Sequence, residues 1–155
     1  MSVRVQASIM QHGPFVKGFK IMNAPICPFC NSHSILVKGN VIYPHREDLH
    51  NLNFWKCPSC KDVYVGCKPN TTIPHGTLAN SELRTARTEA HKFFDSLWKS
   101  AKRPQTARTA CYAWLSEIMN LPPEQTHIGM FDIDQCKRVK QLAINRYSSN
   151  TAVKR

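Results

Sequence analysis

The chain has 155 residues, enough for one domain or for a small metal module joined to a helical piece of similar size. Its 42% hydrophobic content argues against wholesale disorder, and its apolar runs are too short to span a bilayer. The formal charge of +11 favours phosphate-rich or acidic partners, and the N-terminus lacks the basic start and long apolar stretch of a secretory signal, so a soluble cytoplasmic protein is predicted.

Residues 1–24 form an N-terminal extension in which Val3, Val5, Ala7 and Ile9 alternate weakly, a strand candidate broken by Gly13-Pro14 and Gly18. Residues 25–70 read as a β-rich metal module. Pro25-Ile26-Cys27-Pro28-Phe29-Cys30 makes a tight loop. Ser34–Val37 and Val41–Tyr43 flank Lys38-Gly39-Asn40, which predicts a hairpin because Gly and Asn tolerate positive φ. Pro44–Asn51 is a polar surface loop, Phe54-Trp55-Lys56 leads into Cys57-Pro58-Ser59-Cys60, and Val63-Tyr64-Val65 closes the module. Residues 71–79, with Pro74 and Gly76, read as a linker.

From Asn80 the period changes, and 80–147 reads as a helical domain. Leu83, Ala86, Ala90, Phe94 and Leu97 recur at helical spacing behind an Asn80 cap, and Lys102-Arg103-Pro104 ends that helix. A second helix from about Thr106 or Thr109 to Met119 buries Cys111, Trp114, Leu115 and Ile118, and Asn120-Leu121-Pro122-Pro123 stops it. A third starts near Asp132, where Gln135 completes a capping box, and buries Ile133, Cys136, Val139, Leu142 and Ala143. Trp98 and Trp114 are placed between helices, and residues 148–155 form a flexible basic tail. The predicted class is α+β: an N-terminal zinc ribbon of small antiparallel β structure followed by a small helical bundle.

Seven cysteines in a reducing cytosol do not call for disulfides, and an odd number cannot all pair within one chain. Two Cys-x-x-Cys pairs point to metal instead. Each such turn converges two thiolates on one ion, and residues 31–56 between the pairs leave room for two or three short strands, the layout of a zinc ribbon. Cys27, Cys30, Cys57 and Cys60 are therefore assigned to one structural Zn²⁺. Four thiolates close the shell and leave no position for water or substrate. A module this small depends on its metal for stability. Cys67 and His75 are further candidates for the shell, although a small buried cysteine and a histidine in a turn account for them as well. Cys111 and Cys136 fall on apolar helix faces and read as core.

Several stretches carry a resemblance: Cys27-Pro28-Phe29-Cys30, Asp62-Val63-Tyr64-Val65-Gly66, Gly76-Thr77-Leu78-Ala79-Asn80 with Leu83-Arg84, and His91, Phe94, Asp95 and Leu97-Trp98. Tyr112-Ala113-Trp114-Leu115 and His127-Ile128-Gly129-Met130-Phe131-Asp132 with Cys136-Lys137-Arg138-Val139 extend it. Together they resemble a family of small phage and prophage proteins, a zinc-finger-containing domain of unknown function. The resemblance covers about residues 25–145 and implies a phage or prophage origin, hence the cytoplasm of a bacterial host, with a zinc ribbon and a helical half. The first half is also similar to the zinc ribbons attached to type IA topoisomerases, which contact single-stranded DNA.

Three functions follow as expectations. The first is nucleic-acid binding, to DNA or RNA, as an accessory factor. Phe29, Tyr43, Phe54, Trp55 and Tyr64 are the candidate stacking aromatics, and Lys38, Arg46, Lys56 and Lys61 the cations beside them. Arg84, Arg87, Lys102, Arg103, Lys137, Arg138 and Lys140 are candidate phosphate or partner contacts on the helices. The second is a phage effector that inhibits or redirects a host protein complex such as a polymerase, a recombination nuclease or a CRISPR-type defence. The third is a metal-dependent nuclease built on His91, Asp95, His127 and Asp132, although no catalytic spacing such as a P-loop is present.

Overall fold

The computed structural model describes residues 24–152, so the strand candidate in the N-terminal extension lies outside the described residues. The first half holds a three-stranded antiparallel sheet in the order β1-β2-β3, from β1 (Ile35–Lys38), β2 (Asn53–Lys56) and β3 (Tyr64–Gly66). Between β1 and β2 lie a single helical turn, α1 (Gly39–Ile42), and a 3₁₀ turn at Glu47–Leu49. The second half is α2 (Ser81–Asp95), α3 (Pro104–Met119) and α4 (Ile133–Ala152). The result is an α+β fold with the sheet and cysteines first and the helices after.

The predicted hairpin across Lys38-Gly39-Asn40 does not form. A two-residue hairpin needs positive φ at its central positions, and neither Gly39 nor Asn40 adopts it. Residues 39–42 coil into α1, and β1 pairs instead with β2, Ile35 opposite Lys56 and Lys38 opposite Asn53. Gly39 serves packing. Its N–H donates to Leu52 O at 2.9 Å, and a Cβ there would lie 1.8 Å from Leu49 O, so only glycine lets these backbones meet.

Residues 71–79 are held by both halves. Ala79 pairs with Tyr64 through two backbone bonds, and Leu78 is fully buried in the small core beside Cys27, Cys57 and Val63. Thr77 N donates to Gly129 O at 3.0 Å in the helical half. The approach is close: a Cβ on Gly76 would fall 1.9 Å from Gly129 O.

In α2, Asn80 caps as predicted, its Oδ1 accepting from Leu83 N at 2.9 Å. The helix ends at Asp95 rather than near Lys102, and residues 96–103 form turns. Pro104 opens α3 rather than ending α2, because its missing N–H costs nothing in the first turn. Asn120, at φ 52°, terminates α3 in the left-handed conformation. The predicted capping box exists: Asp132 Oδ1 accepts from Gln135 N at 2.8 Å, and Gln135 Oε1 accepts from Asp132 N at 3.0 Å. Helix α4 continues past Ser148 to Ala152, where the sequence predicted a flexible tail. The main core joins Ala90, Phe94, Cys111, Leu115, Phe131, Cys136 and Val139, with Trp98 and Trp114 packed against it. Among the described residues no helix is long and apolar enough to cross a membrane.

Candidate metal centre

Local backbone geometry builds each half of the cysteine site. In the first knuckle Asn31 adopts a left-handed φ of 58°, its N–H donates to Cys27 O at 2.9 Å, and Cys27 N donates to Ser32 O at 2.9 Å. In the second, Cys57 N donates to Val63 O at 2.8 Å, and Cys60 N donates to the Cys57 sulfur at 3.3 Å. That amide–sulfur contact spreads the negative charge a thiolate carries. The Ser32 and Ser59 hydroxyls, 3.2 Å apart, join the two knuckles.

The four sulfurs lie within 4.8 Å of one another, Cys30 to Cys57 at 3.4 Å and Cys27 to Cys60 at 4.0 Å. A tetrahedron with Zn–S bonds of about 2.3 Å has S–S edges of about 3.8 Å. The observed spacings straddle that value, so the quartet fits zinc. Cys27 and Cys57 are fully buried, Cys60 is half-buried and Cys30 exposed, so the centre sits at the rim with Val63 and Leu78 behind it. The sulfurs also respond to one another. Hydrogen bonds from the Ser32 hydroxyl and amide draw the Cys30 thiol down to about 6, while its hydrogen bond to Cys30, aided by burial, pushes Cys60 up to about 12. Burial raises Cys27. A divalent cation removes the repulsion that keeps these thiols from ionising together.

Cys67 and His75 stand outside this quartet. Cys67 is half-buried, with its N–H on Asn53 O. Among the described residues the quartet is the one group of three or more His, Cys, Asp and Glu side chains whose ligand atoms converge. His91 and Asp95 approach to 3.8 Å, Asp95 also holds Lys99 at 2.9 Å, and Asp132 is committed to its helix cap. The four residues suggested for a nuclease therefore form no second metal cluster.

A zinc-finger-containing domain family matches residues 23–146. The chain belongs to that family. No curated protein and no solved structure matches it significantly. In this zinc-finger domain Cys27, Cys30, Cys57 and Cys60 form a single zinc site, and a closed thiolate shell makes it structural.

The remaining candidates separate into three groups. Arg87 is only 9% exposed, and its guanidinium donates to Phe131 O at 3.0 Å, Thr77 O at 2.8 Å and Thr77 Oγ1 at 2.6 Å. It ties α2 to the 71–79 segment and to the loop before α4, and is not available to a partner. Sequence periodicity held the signal, since Leu83, Arg87, Ala90 and Phe94 share one helical stripe, but a charged residue there reads as surface. Arg84 bonds both Asp62 carboxylate oxygens at 2.8 and 2.9 Å and lies 3.9 Å over the Tyr64 ring, and Lys140 pairs with Glu89 at 2.8 Å. Arg138 reaches Ile118 O at 3.0 Å, and Lys38 bonds Asn53 Oδ1 at 2.9 Å. Among the described residues, Lys56, Lys61, Lys102, Arg103 and Lys137 have no carboxylate within 4.0 Å.

The expected aromatic platform is mostly core. Phe54 is buried, and Tyr43, Phe54 and Tyr64 pack edge to face, with the two tyrosine hydroxyls 2.9 Å apart. Trp55 is half-buried with Nε1 donating to Thr72 O at 2.8 Å. Phe29, 47% exposed at the first knuckle, is the aromatic left open.

Proposed function

We propose that this zinc-finger protein binds nucleic acid, DNA or RNA, as a phage or prophage accessory factor in the cytoplasm of a bacterial host. One observation carries the proposal: exposed Phe29 stands on one knuckle while Lys56 and Lys61, without carboxylate partners among the described residues, flank the other. The metal and the Ser32–Ser59 contact keep these knuckles adjacent. An aromatic face for an unstacked base beside cations for phosphate is the combination that single-strand binders use. Lys102, Arg103 and Lys137 add cationic surface on the helices.

The test is binding of a single-stranded oligonucleotide across a salt series. The parent should lose affinity steeply with salt, and K56Q/K61Q should flatten the log–log slope by about 1.4, roughly 0.7 for each of the two phosphate contacts removed. Phe29→Ala should cost about 1–3 kcal/mol. Salt-independent binding, or no binding, refutes the proposal.

A second reading, docking onto a host polymerase, recombination nuclease or CRISPR-type complex, draws on Ile35, Leu36, Val41 and Leu52, each 39–53% exposed on the ribbon half. Affinity capture from host lysate separates the two. A protein partner retained after nuclease treatment supports docking, whereas loss of the captured material supports nucleic acid.

A further inference from the structure

The seam between the halves encloses a cleft of about 690 Å³ that lies apart from the zinc site. Its chemistry comes from separate segments of the chain. Lys68 follows β3, His75 belongs to the 71–79 segment, His91 to α2, Arg108 and Tyr112 to α3, and His127 to the loop before α4. The Gly76–Gly129 approach brings those segments together. Among the described residues no carboxylate lines the cleft. Asp95 stands behind His91 and is already paired with Lys99. Among the described residues Lys68 and Arg108 have no carboxylate within 4.0 Å, and the Arg108 guanidinium stands 4.8 Å from the centre of the Tyr112 ring. The Tyr112 and His127 rings lie 5.8 Å apart, and Met130, 43% exposed, also borders the cleft.

From this arrangement we infer that the cleft binds a nucleotide, with its phosphate against Arg108 and Lys68 and its base against Tyr112, His127 and Met130. Two cations with no carboxylate within 4.0 Å match a phosphate group, and a guanidinium suits its oxygens in bidentate geometry. The volume falls within the few hundred to about 1,000 Å³ typical of small-molecule sites, so it admits a nucleoside as well as its phosphate. A metal is the wrong ligand, because the histidine nitrogens do not converge as the cysteine sulfurs do. The nucleotide is either free in solution or the phosphorylated end of a strand. In the second case the inference rests on the nucleic-acid reading above and gives it a specific contact.

Calorimetric titration of the full-length zinc-loaded protein distinguishes these sources. The probes are inorganic phosphate, adenosine 5′-monophosphate, and an oligothymidylate with either a 5′-phosphate or a 5′-hydroxyl. Arg108→Gln and Lys68→Gln should each weaken the nucleotide or the phosphorylated strand by about tenfold or more. Lys92→Gln, an equal charge change at an exposed position outside the cleft, should leave affinity unchanged. Binding of the mononucleotide alone supports the cleft with a free ligand and counts against the strand reading. Preference for the 5′-phosphorylated strand, lost in Arg108→Gln, supports a strand end. The inference is overturned if inorganic phosphate binds as tightly as the nucleotide, if both strands bind alike and the mononucleotide does not bind, or if Arg108→Gln behaves like Lys92→Gln.

Discussion

Replacing Arg87 with methionine keeps most of the side-chain volume and removes the guanidinium. The wild-type group makes three charge-assisted hydrogen bonds, at 2.6–3.0 Å, that join α2 to Thr77 and to Phe131. These acceptors differ in their access to water. Thr77 is half-buried, so solvent can replace the lost donors there, but Phe131 is 1% exposed and its carbonyl would be stranded. A stranded buried acceptor costs about 1–3 kcal/mol, and the two partly solvated bonds add less. Against this, methionine recovers the desolvation of a buried cation, a burden visible in the lowered pKa of Arg87. The net expectation is a loss of about 2–4 kcal/mol. For a chain of this size that corresponds to roughly 5–15 °C in Tm. Urea unfolding of zinc-loaded protein measures it, with metal content checked so that zinc loss is not mistaken for the effect. Arg87→Lys, which keeps the charge but not the fork, should fall between parent and methionine variant. A methionine variant within about 0.5 kcal/mol of the parent would show that this guanidinium does not hold the seam.

Elemental analysis should find one zinc per chain, and either a strong chelator or Cys57→Ser should collapse the ribbon half. Structural zinc contributes on the order of 10 kcal/mol in such modules, whereas the ribbon core behind the sulfurs is little more than Val63 and Leu78. Helical circular dichroism should largely survive, because the second core is separate. A metal-free protein with unchanged ribbon signals would contradict this. Zinc uptake at pH 7 should release at least two protons, from Cys27, whose thiol burial raises, and Cys60, pushed up to about 12; Cys30, drawn down to about 6, is mostly thiolate already. Affinity should therefore fall as pH falls, with an additional proton competing below about 6. Calorimetry in buffers of different ionisation enthalpy reads the proton count, and fewer than two would contradict the sulfur environment described. Gly76→Ala should destabilise by about 1–3 kcal/mol or more, since its Cβ meets backbone that cannot swing aside. Gly66→Ala, with only a 3.4 Å side-chain contact, should cost less; equal thermal shifts would rule out the tight seam.

The parts of the fold legible in the sequence depend on residues close together along the chain. A Cys-x-x-Cys turn brings two sulfurs together through a few backbone bonds, so Cys27 with Cys30 and Cys57 with Cys60 could be paired before any strand was placed. The Asn80 cap and the Asp132–Gln135 box act within one helical turn, and both appear where their spacing put them. Elsewhere a local preference is overruled by contact at a distance. Lys38-Gly39-Asn40 carries a turn signal, yet Gly39 is required by Leu49 and Leu52 across the module. Pro104 breaks a helix when it stands inside one and opens one when it stands first, and sequence gave no means of choosing.

The sequence by itself determined the metal, its four ligands and three amphipathic helices, because each is encoded by spacing within one or two turns of backbone. Only the tertiary structure decided that Arg87 lies inside, that most of the ribbon aromatics are core, and that His75, His91, Arg108 and His127 face one cleft. Those outcomes depend on segments tens of residues apart meeting at Gly76 and Gly129, and periodicity along one segment carries no information about the surface another segment will cover.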